Sequence, residues 1–231
     1  MKTIKYIDLG LISYTECLDL QMEIVNLRHQ GAIGDVILLL EHQPVITMGR
    51  SGGEDALLVT PESLSRAGVE LYNTDRGGNI TYHGPGQLVG YPIFDLREYG
   101  KDVHLFLRNL EQVVIDTIAE FGVVGEAVPG LTGVWVDGGK ISSIGVAARK
   151  WISYHGFALN VDPNMAHWAL LHPCGLIGRH VTSLRMLTDQ CPSMDDVKSA
   201  AVRSLAEVFA VEVVQMNPVE LRELIDRHRD Q

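Results

Sequence analysis

Two hydrophobic grammars alternate along the chain. Ser13-Tyr14-Thr15-Glu16 has the form of a capping box and predicts a helix running to about Arg28. Val36 to Leu40 is a continuous apolar run too short for a helix and reads as a buried strand, with another strand over Pro44 to Met48. Thr60-Pro61-Glu62 places a cap ahead of a first-turn proline, so a short helix should stop near Gly68, followed by a strand at Val69 to Asn73. The clearest helical period lies between Asp102 and Phe121, where Phe106, Leu110, Val113, Thr117 and Phe121 share a face and Gly122 stands at the C-cap. Strand grammar then takes over. Val134 to Val136 meets a hairpin signal at Asp137-Gly138-Gly139, Lys140 to Ala147 returns, Arg149-Lys150 turns again, and Trp151 to Val161 follows. Ser193 caps a helix to about Phe209, Val211 to Gln215 is a strand, and Asn217-Pro218 opens the last helix.

Helices and strands are interleaved but hairpins interrupt them, which predicts an α+β (mixed α/β) fold with a central mixed β-sheet flanked by helices. Residues 1–231 form one domain in this reading, with a core over about 30–215 and a C-terminal helix over about 218–229. No repeat, low-complexity tract or long linker divides it. The chain is 46% hydrophobic but only 6% aromatic, so the core must be largely aliphatic. A net charge of -10 argues against general nucleic-acid binding. The N-terminal residues lack a signal-peptide pattern, and no run approaches the roughly 20 apolar residues of a membrane span. Cys17, Cys174 and Cys191 make neither a disulfide framework nor a C-x-x-C pair, so a reducing cytoplasm is the simplest compartment.

Two segments carry candidate chemistry. Arg76-Gly77-Gly78-Asn79-Ile80-Thr81-Tyr82-His83-Gly84-Pro85-Gly86-Gln87 can bring backbone N–H groups close to a ligand, with a guanidinium and an imidazole beside them. On pattern alone the plainer reading, a tight hairpin whose Gly and Pro serve only the chain path, comes first. It is neither a dinucleotide fingerprint nor a P-loop. Cys174 lies between Pro173 and Gly175, in a turn where a thiol can meet substrate, although a lone cysteine is more often a small buried hydrophobe. A thiol titrating near ~8.5 needs a neighbouring cation to become a thiolate at neutral pH. Lys140, Arg149, Lys150 and Arg179 are the candidates. Lys140 is distinctive because it starts a strand of small residues, Ser142, Ser143, Gly145 and Ala147, which leave room over a sheet for an extended chain.

Arg76 to Asp95, Gly133 to Val161 and Pro173-Cys174-Gly175 together resemble the lipoyl(octanoyl) transferases, within the superfamily of lipoate–protein and biotin–protein ligases. The Arg76–Gln87 segment carries most of the specificity. The resemblance implies a biotin/lipoate protein ligase-like fold. It implies that Arg76, Gly77, Gly78, Asn79, Ile80, Thr81, Tyr82 and His83 line an acyl site, with Ser143, Ile144, Gly145, Gly156, Phe157 and Ala158 as further walls. It implies that Cys174 carries an acyl thioester and that Lys140 lowers its pKa. ATP-dependent ligases of the superfamily carry a longer Arg/Gly run at this turn, whereas Asp75 precedes Arg76 here and two glycines follow; the biotin ligases' Gly-Arg-Gly-Arg motif is absent.

The implied reaction moves an octanoyl group from octanoyl-acyl carrier protein to a lysine of a lipoyl domain, in 2-oxoacid dehydrogenase E2 subunits and the glycine cleavage H protein. It requires no ATP and no metal, and no nucleic-acid or membrane partner. A monomer is expected. Basic residues around Arg149-Lys150 and Arg179–Arg185 offer docking points for an acidic carrier. The rivals are a thioesterase or amidase using the same thiol, a metal protein built on His83, His155, His167, His172 or His180, and a non-catalytic carrier-binding module.

Overall fold

A computed structural model of the chain describes residues 1–52, 56–172 and 180–229. In chain order the elements are β1 (Thr3–Ile12), α1 (Tyr14–Gln30), β2 (Val36–His42), β3 (Val45–Met48), α2 (Pro61–Arg66), β4 (Glu70–Asn73), β5 (Ile80–His83), β6 (Gln87–Ile93), α3 (Val103–Ala119), β7 (Glu126–Val128), β8 (Leu131–Val136), β9 (Gly139–Arg149), β10 (Ile152–Asn160), α4 (Leu184–Leu187), α5 (Met194–Phe209), β11 (Glu212–Gln215) and α6 (Pro218–Arg229). Short 3-10 turns occupy Leu96–Tyr99 and Met165–Leu170.

Helix ends follow local chemistry. Ser13 accepts from the Glu16 N–H, Thr60 from Ser63 and Ser193 from Asp196, each satisfying a donor the helix cannot. Helix α3 ends in a Schellman motif: the Gly122 N–H donates to the Ala119 carbonyl and Val123 to Ile118, around a left-handed Gly122.

Eight strands form one sheet in the order β11-β1-β2-β6-β10-β9-β8-β7. β1 is parallel to both β11 and β2, and the remaining pairs are antiparallel. The mixed sheet expected from the interleaved pattern is therefore present. Its two faces are set by the strand period: Ile37 and Leu39 of β2 join the cluster under α3 and α5, while Val36, Leu38 and Leu40 join the one under α1 and α6. A second sheet, β4-β3-β5, packs with α2 and the 165–170 turn around Ile46, Leu64, Tyr82 and Trp168.

Several details depart from the sequence reading, and β7 and α4 as well as β1 were not predicted. β1 had no expected element; its alternation is broken by a register shift between Asp8 and Leu11 beside a left-handed Gly10. The Gly84–Gly86 turn does not close a hairpin, because β5 belongs to the small sheet and β6 to the large one. The second turn consists of Lys150 and Trp151, both with positive φ, flanked by the paired Arg149 and Ile152.

Asp35 ties the end of α1 to the sheet. Its buried carboxylate accepts from Lys2, from Arg28 Nε at 2.6 Å, from the Tyr99 hydroxyl at 2.7 Å and from the Asp95 N–H at 3.0 Å. Burial alone pushes its pKa up, but the hydrogen bonds from Lys2, Arg28, Asp95 and Tyr99 outweigh burial and hold it below the usual carboxylate value. The carboxylate's contribution is therefore present above the unfolded-state pKa, near ~3.9, and is lost as pH falls through the lower folded value. Asp35→Ala takes a buried acceptor from Arg28, the Tyr99 hydroxyl and the Asp95 N–H, although Lys2 and Arg28 keep Glu98 at 2.6 Å, and should cost about 3 kcal/mol in urea unfolding at neutral pH. A loss under about 1 kcal/mol would contradict this account.

Candidate functional site

The two sheets meet across a cavity of about 350 Å³. β9 and β10 form its floor, paired residue by residue with Gly145 opposite Gly156 and Ile144 opposite Phe157. The glycine-rich segment forms its roof, running across β9. The Gly77 N–H donates to the Val146 carbonyl at 3.0 Å, and the Thr81 hydroxyl to Ser143 Oγ at 3.3 Å. Roof and floor touch at Gly145, where a Cβ would lie 2.6 Å from the Gly77 carbonyl oxygen, so only a residue without a side chain fits.

The sequence candidates divide by strand parity. Arg76, Gly78, Asn79, Thr81 and His83 line the cavity, as do Lys140, Ser143, Ile144, Gly145, Gly156, Phe157 and Ala158. Ile80 and Tyr82, on alternate positions of β5, face away into the core of the small sheet, and Tyr82 donates to or accepts from His167 Nδ1 at 2.8 Å. Gly77 bridges to β9 through its backbone and is not a wall. Of the small residues on β9, Ser143 and Gly145 open space. Ser142 instead donates to the Ala158 carbonyl, and Ala147 packs among the residues under α1. Arg149 and Lys150 are exposed at the far turn. Cys174 and Arg179 lie outside the described residues.

Lys140 is only 6% exposed. Its ammonium lies 5.4 Å from the Trp135 ring centre, and its stem crosses Gly133, whose φ of +126° and 2.7 Å clearance from a would-be Cβ to Lys140 Cε demand glycine. Beneath it, the buried Glu111 accepts the Gly133 N–H at 2.9 Å and pairs with Arg108. Burial raises the Glu111 pKa against the opposing influence of Gly133, Arg108 and Lys140. The Lys140 backbone is also an anchor: its N–H donates to the His180 carbonyl at 2.9 Å and its carbonyl accepts the Thr182 N–H at 3.0 Å. On the other side, the His172 N–H donates to the Ala56 carbonyl at 2.8 Å. One described flank of the Cys174 segment is thus tied to Lys140 and the other to Ala56, in the core of the small sheet.

A buried hydrogen-bond chain links roof to floor. Arg76 Nη2 donates to the Thr47 carbonyl at 2.6 Å and to its hydroxyl at 2.9 Å. Gln87 Nε2 donates to the Tyr82 carbonyl and, at 2.8 Å, to Asn160 Oδ1, so its Oε1 must accept. His83 Nδ1, 2.8 Å from that oxygen, therefore carries the ring proton, and its Nε2 accepts from Thr47 at 3.4 Å. Asn160 Nδ2 closes the chain on the Thr182 carbonyl at 2.9 Å.

Sequence reasoning missed Tyr14, Tyr91, Trp135 and Leu131, which also line the cavity, named His155 there only as a metal ligand of a rival reading, and missed His42 behind them. His42 donates from Nδ1 to the Ile12 carbonyl at 3.1 Å and accepts the Tyr91 hydroxyl at 2.9 Å. A histidine ending the apolar run of β2 was the available signal. Burial lowers the His42 pKa to about 4, and burial with the neighbouring His42 and Arg76 carries that of His83 well below normal. Among the described residues no group of three or more His, Cys, Asp or Glu side chains is arranged to hold a metal ion.

The lipoyl protein ligase A/B catalytic domain model matches residues 13–206. The chain is 46% identical over 215 residues to a protein of Chloroflexus aurantiacus named octanoyltransferase, covering 92% of this chain and 96% of that one. It is 45% identical over 206 residues to an octanoyltransferase of Solibacter usitatus, covering 89% and 93%. In structure it superposes on the bipartite lipoate protein ligase of Thermoplasma acidophilum, studied with its E2 lipoyl domain, at a TM-score of 0.77 and 16% identity, over 99% of this chain and 92% of that one.

NMR titration of the imidazoles should find His42 neutral at pH 6 and protonating only near pH 4. Because unfolded histidine titrates near ~6.5, folding stability should decline as pH falls from there toward 4. A His42 titration near 6.5 would contradict the buried geometry.

Proposed function

The chain belongs to the lipoyl protein ligase A/B catalytic family, and from that premise we propose that it is an octanoyltransferase that forms an acyl-enzyme on Cys174. The observation that carries the reading is a buried lysine lining a cavity whose floor includes Ser143, Gly145, Gly156 and Ala158, in a chain 46% identical to a named octanoyltransferase.

In the first step the Cys174 thiolate attacks the thioester carbonyl of octanoyl-acyl carrier protein. A C–S bond to Cys174 forms, the bond to the carrier's sulfur breaks, and the carrier leaves as a thiol after taking a proton from Lys140. In the second step the ε-amine of a lipoyl-domain lysine attacks the enzyme thioester. Lys140 accepts the proton the incoming amine loses, and Cys174 leaves as thiolate. The Lys140 ammonium stabilises that thiolate, and backbone N–H groups hold the developing oxyanion. Thioester exchange is near balance and amide formation is downhill, so the reaction requires neither ATP nor metal.

The acceptors are lipoyl domains, of 2-oxoacid dehydrogenase E2 subunits and of the glycine cleavage H protein. Dependence on a free thiol suits a reducing cytoplasm. No helix among the described residues is long and apolar enough to cross a membrane. Exclusion of water from the cavity separates a transferase from a hydrolase, because an exposed thioester would turn over to free acid.

Intact mass spectrometry after exposure to octanoyl-acyl carrier protein should show the chain gaining one octanoyl group, discharged on adding an apo lipoyl domain. Cys174→Ala should gain none, and Lys140→Met should acylate at least about a hundredfold more slowly. Rapid release of free octanoate without acceptor, or an adduct that survives in Cys174→Ala, would overturn the proposal.

A further inference from the structure

Glu111 is a carboxylate buried where its hydrogen bonding does not ask for a charge. It reaches from α3 to Gly133 of β8, and the residue is 1% exposed. Oε1 accepts the Gly133 N–H at 2.9 Å. Oε2 lies 2.5 Å from Arg108 Nη1 but out of line for a hydrogen bond, so it is a buried oxygen with no aligned donor. A glutamine would cap the same N–H without taking an ion out of water.

The other side of Gly133 meets Lys140. A Cβ on Gly133 would lie 2.7 Å from Lys140 Cε and 3.3 Å from Nζ. Carboxylate and ammonium thus flank one glycine, whose bare Cα lets the lysine stem pass. Lys140, at 6% exposed, is out of water as Glu111 is. Opposite charges that are near and desolvated interact far more strongly than the same charges at the surface. Lys140 accordingly favours the ionised form of Glu111, and by the same coupling Glu111 favours the ammonium.

The remaining charges around Lys140 do not supply this. Arg108 opposes Glu111 from the same helix, but its side chain is 45% exposed and water screens it. The Trp135 ring of β8, 5.4 Å from the ammonium, favours the protonated amine without titrating. His180 packs beside Gly139 and is exposed. From the roof, Arg76 is a cation that disfavours a second one, and His83 is neutral. No described residue lining the cavity is an Asp or Glu.

We propose that Glu111 sets the protonation of Lys140: reaching Gly133 from α3, it holds the lysine as an ammonium at rest and, tempered by Arg108, fixes the pH at which that proton is given up. The catalytic consequence rests on the octanoyltransferase reading. The ammonium gives its proton to the departing carrier thiol and regains one from the incoming amine, so a lysine held too weakly enters the first step without a proton to give. Glu111 acts through Lys140 and is a positioning residue.

The test follows the Lys140 side-chain resonance against pH in protein carrying carbon-13 lysine, assigned with Lys140→Met, beside the pH profile of acylation by octanoyl-acyl carrier protein. Glu111→Gln keeps the acceptor for Gly133 and removes the charge. Lys140 should then lose its proton about one pH unit lower, and the basic limb of kcat/KM should move down with it. Arg108→Gln removes the opposing cation, so both should move up by about 0.3 pH unit or more; this variant carries the test if Glu111→Gln does not fold. A capping role alone would lower the rate at every pH and leave the limb in place. A folded Glu111→Gln or Arg108→Gln protein whose Lys140 titrates as in the wild type overturns the proposal. Wild-type protein whose Lys140 responds to both substitutions but which gains no octanoyl group overturns the octanoyltransferase reading and leaves the coupling standing.

Discussion

The site depends on a single run of buried hydrogen bonds, from Arg76 through Thr47, His83, Gln87 and Asn160 to the Thr182 carbonyl, and from the Thr182 N–H to the backbone of Lys140. Each member is buried, so each lost partner leaves a group that water cannot reach. The run begins in the small sheet, crosses β6 and β10 of the large one, and ends on the strand that carries the candidate catalytic lysine. It thereby fixes the height of the roof over the floor, which is the width of the cavity. The neutral histidine in the middle follows from this: with Gln87 accepting and Arg76 close by, a second proton on His83 would have no acceptor and a cation beside it.

Packing and polarity divide the labour. The aliphatic clusters on the two faces of the eight-stranded sheet hold β9 and β10 flat against each other, and glycines at 145 and 156 let the roof and neighbouring strand come close. The polar chain then selects one arrangement among those that packing alone would allow. At the periphery, Asp35 does the same for the end of α1, gathering Lys2, Arg28 and Tyr99 around one carboxylate.

Much of the fold was legible because the period and the caps agreed: Ser13, Thr60 and Ser193 cap helices as their neighbours predict, and Asp137-Gly138 turns the hairpin that presents Lys140. β1 was illegible because a bulge breaks its alternation. The split of β5 and β6 between two sheets was illegible because Gly84-Pro85-Gly86 looks the same in a hairpin and in a crossover. Within the site, the motif located the walls as a group, but parity along β5 decides that Thr81 and His83 face the cavity while Ile80 and Tyr82 do not. His155 could not be read from spacing at all, since its direction comes from a backbone angle that Gln21 and Asp75 impose from other elements.

A double-mutant cycle across the polar chain tests its continuity most directly, with Thr47→Val at the roof end, Asn160→Leu at the floor end, and the two combined, each measured by urea unfolding. If the chain is one network, the double variant should depart from additivity by more than about 0.5 kcal/mol. Additivity within about 0.3 kcal/mol would mean that the two ends stand independently and that the run of bonds does not set the cavity.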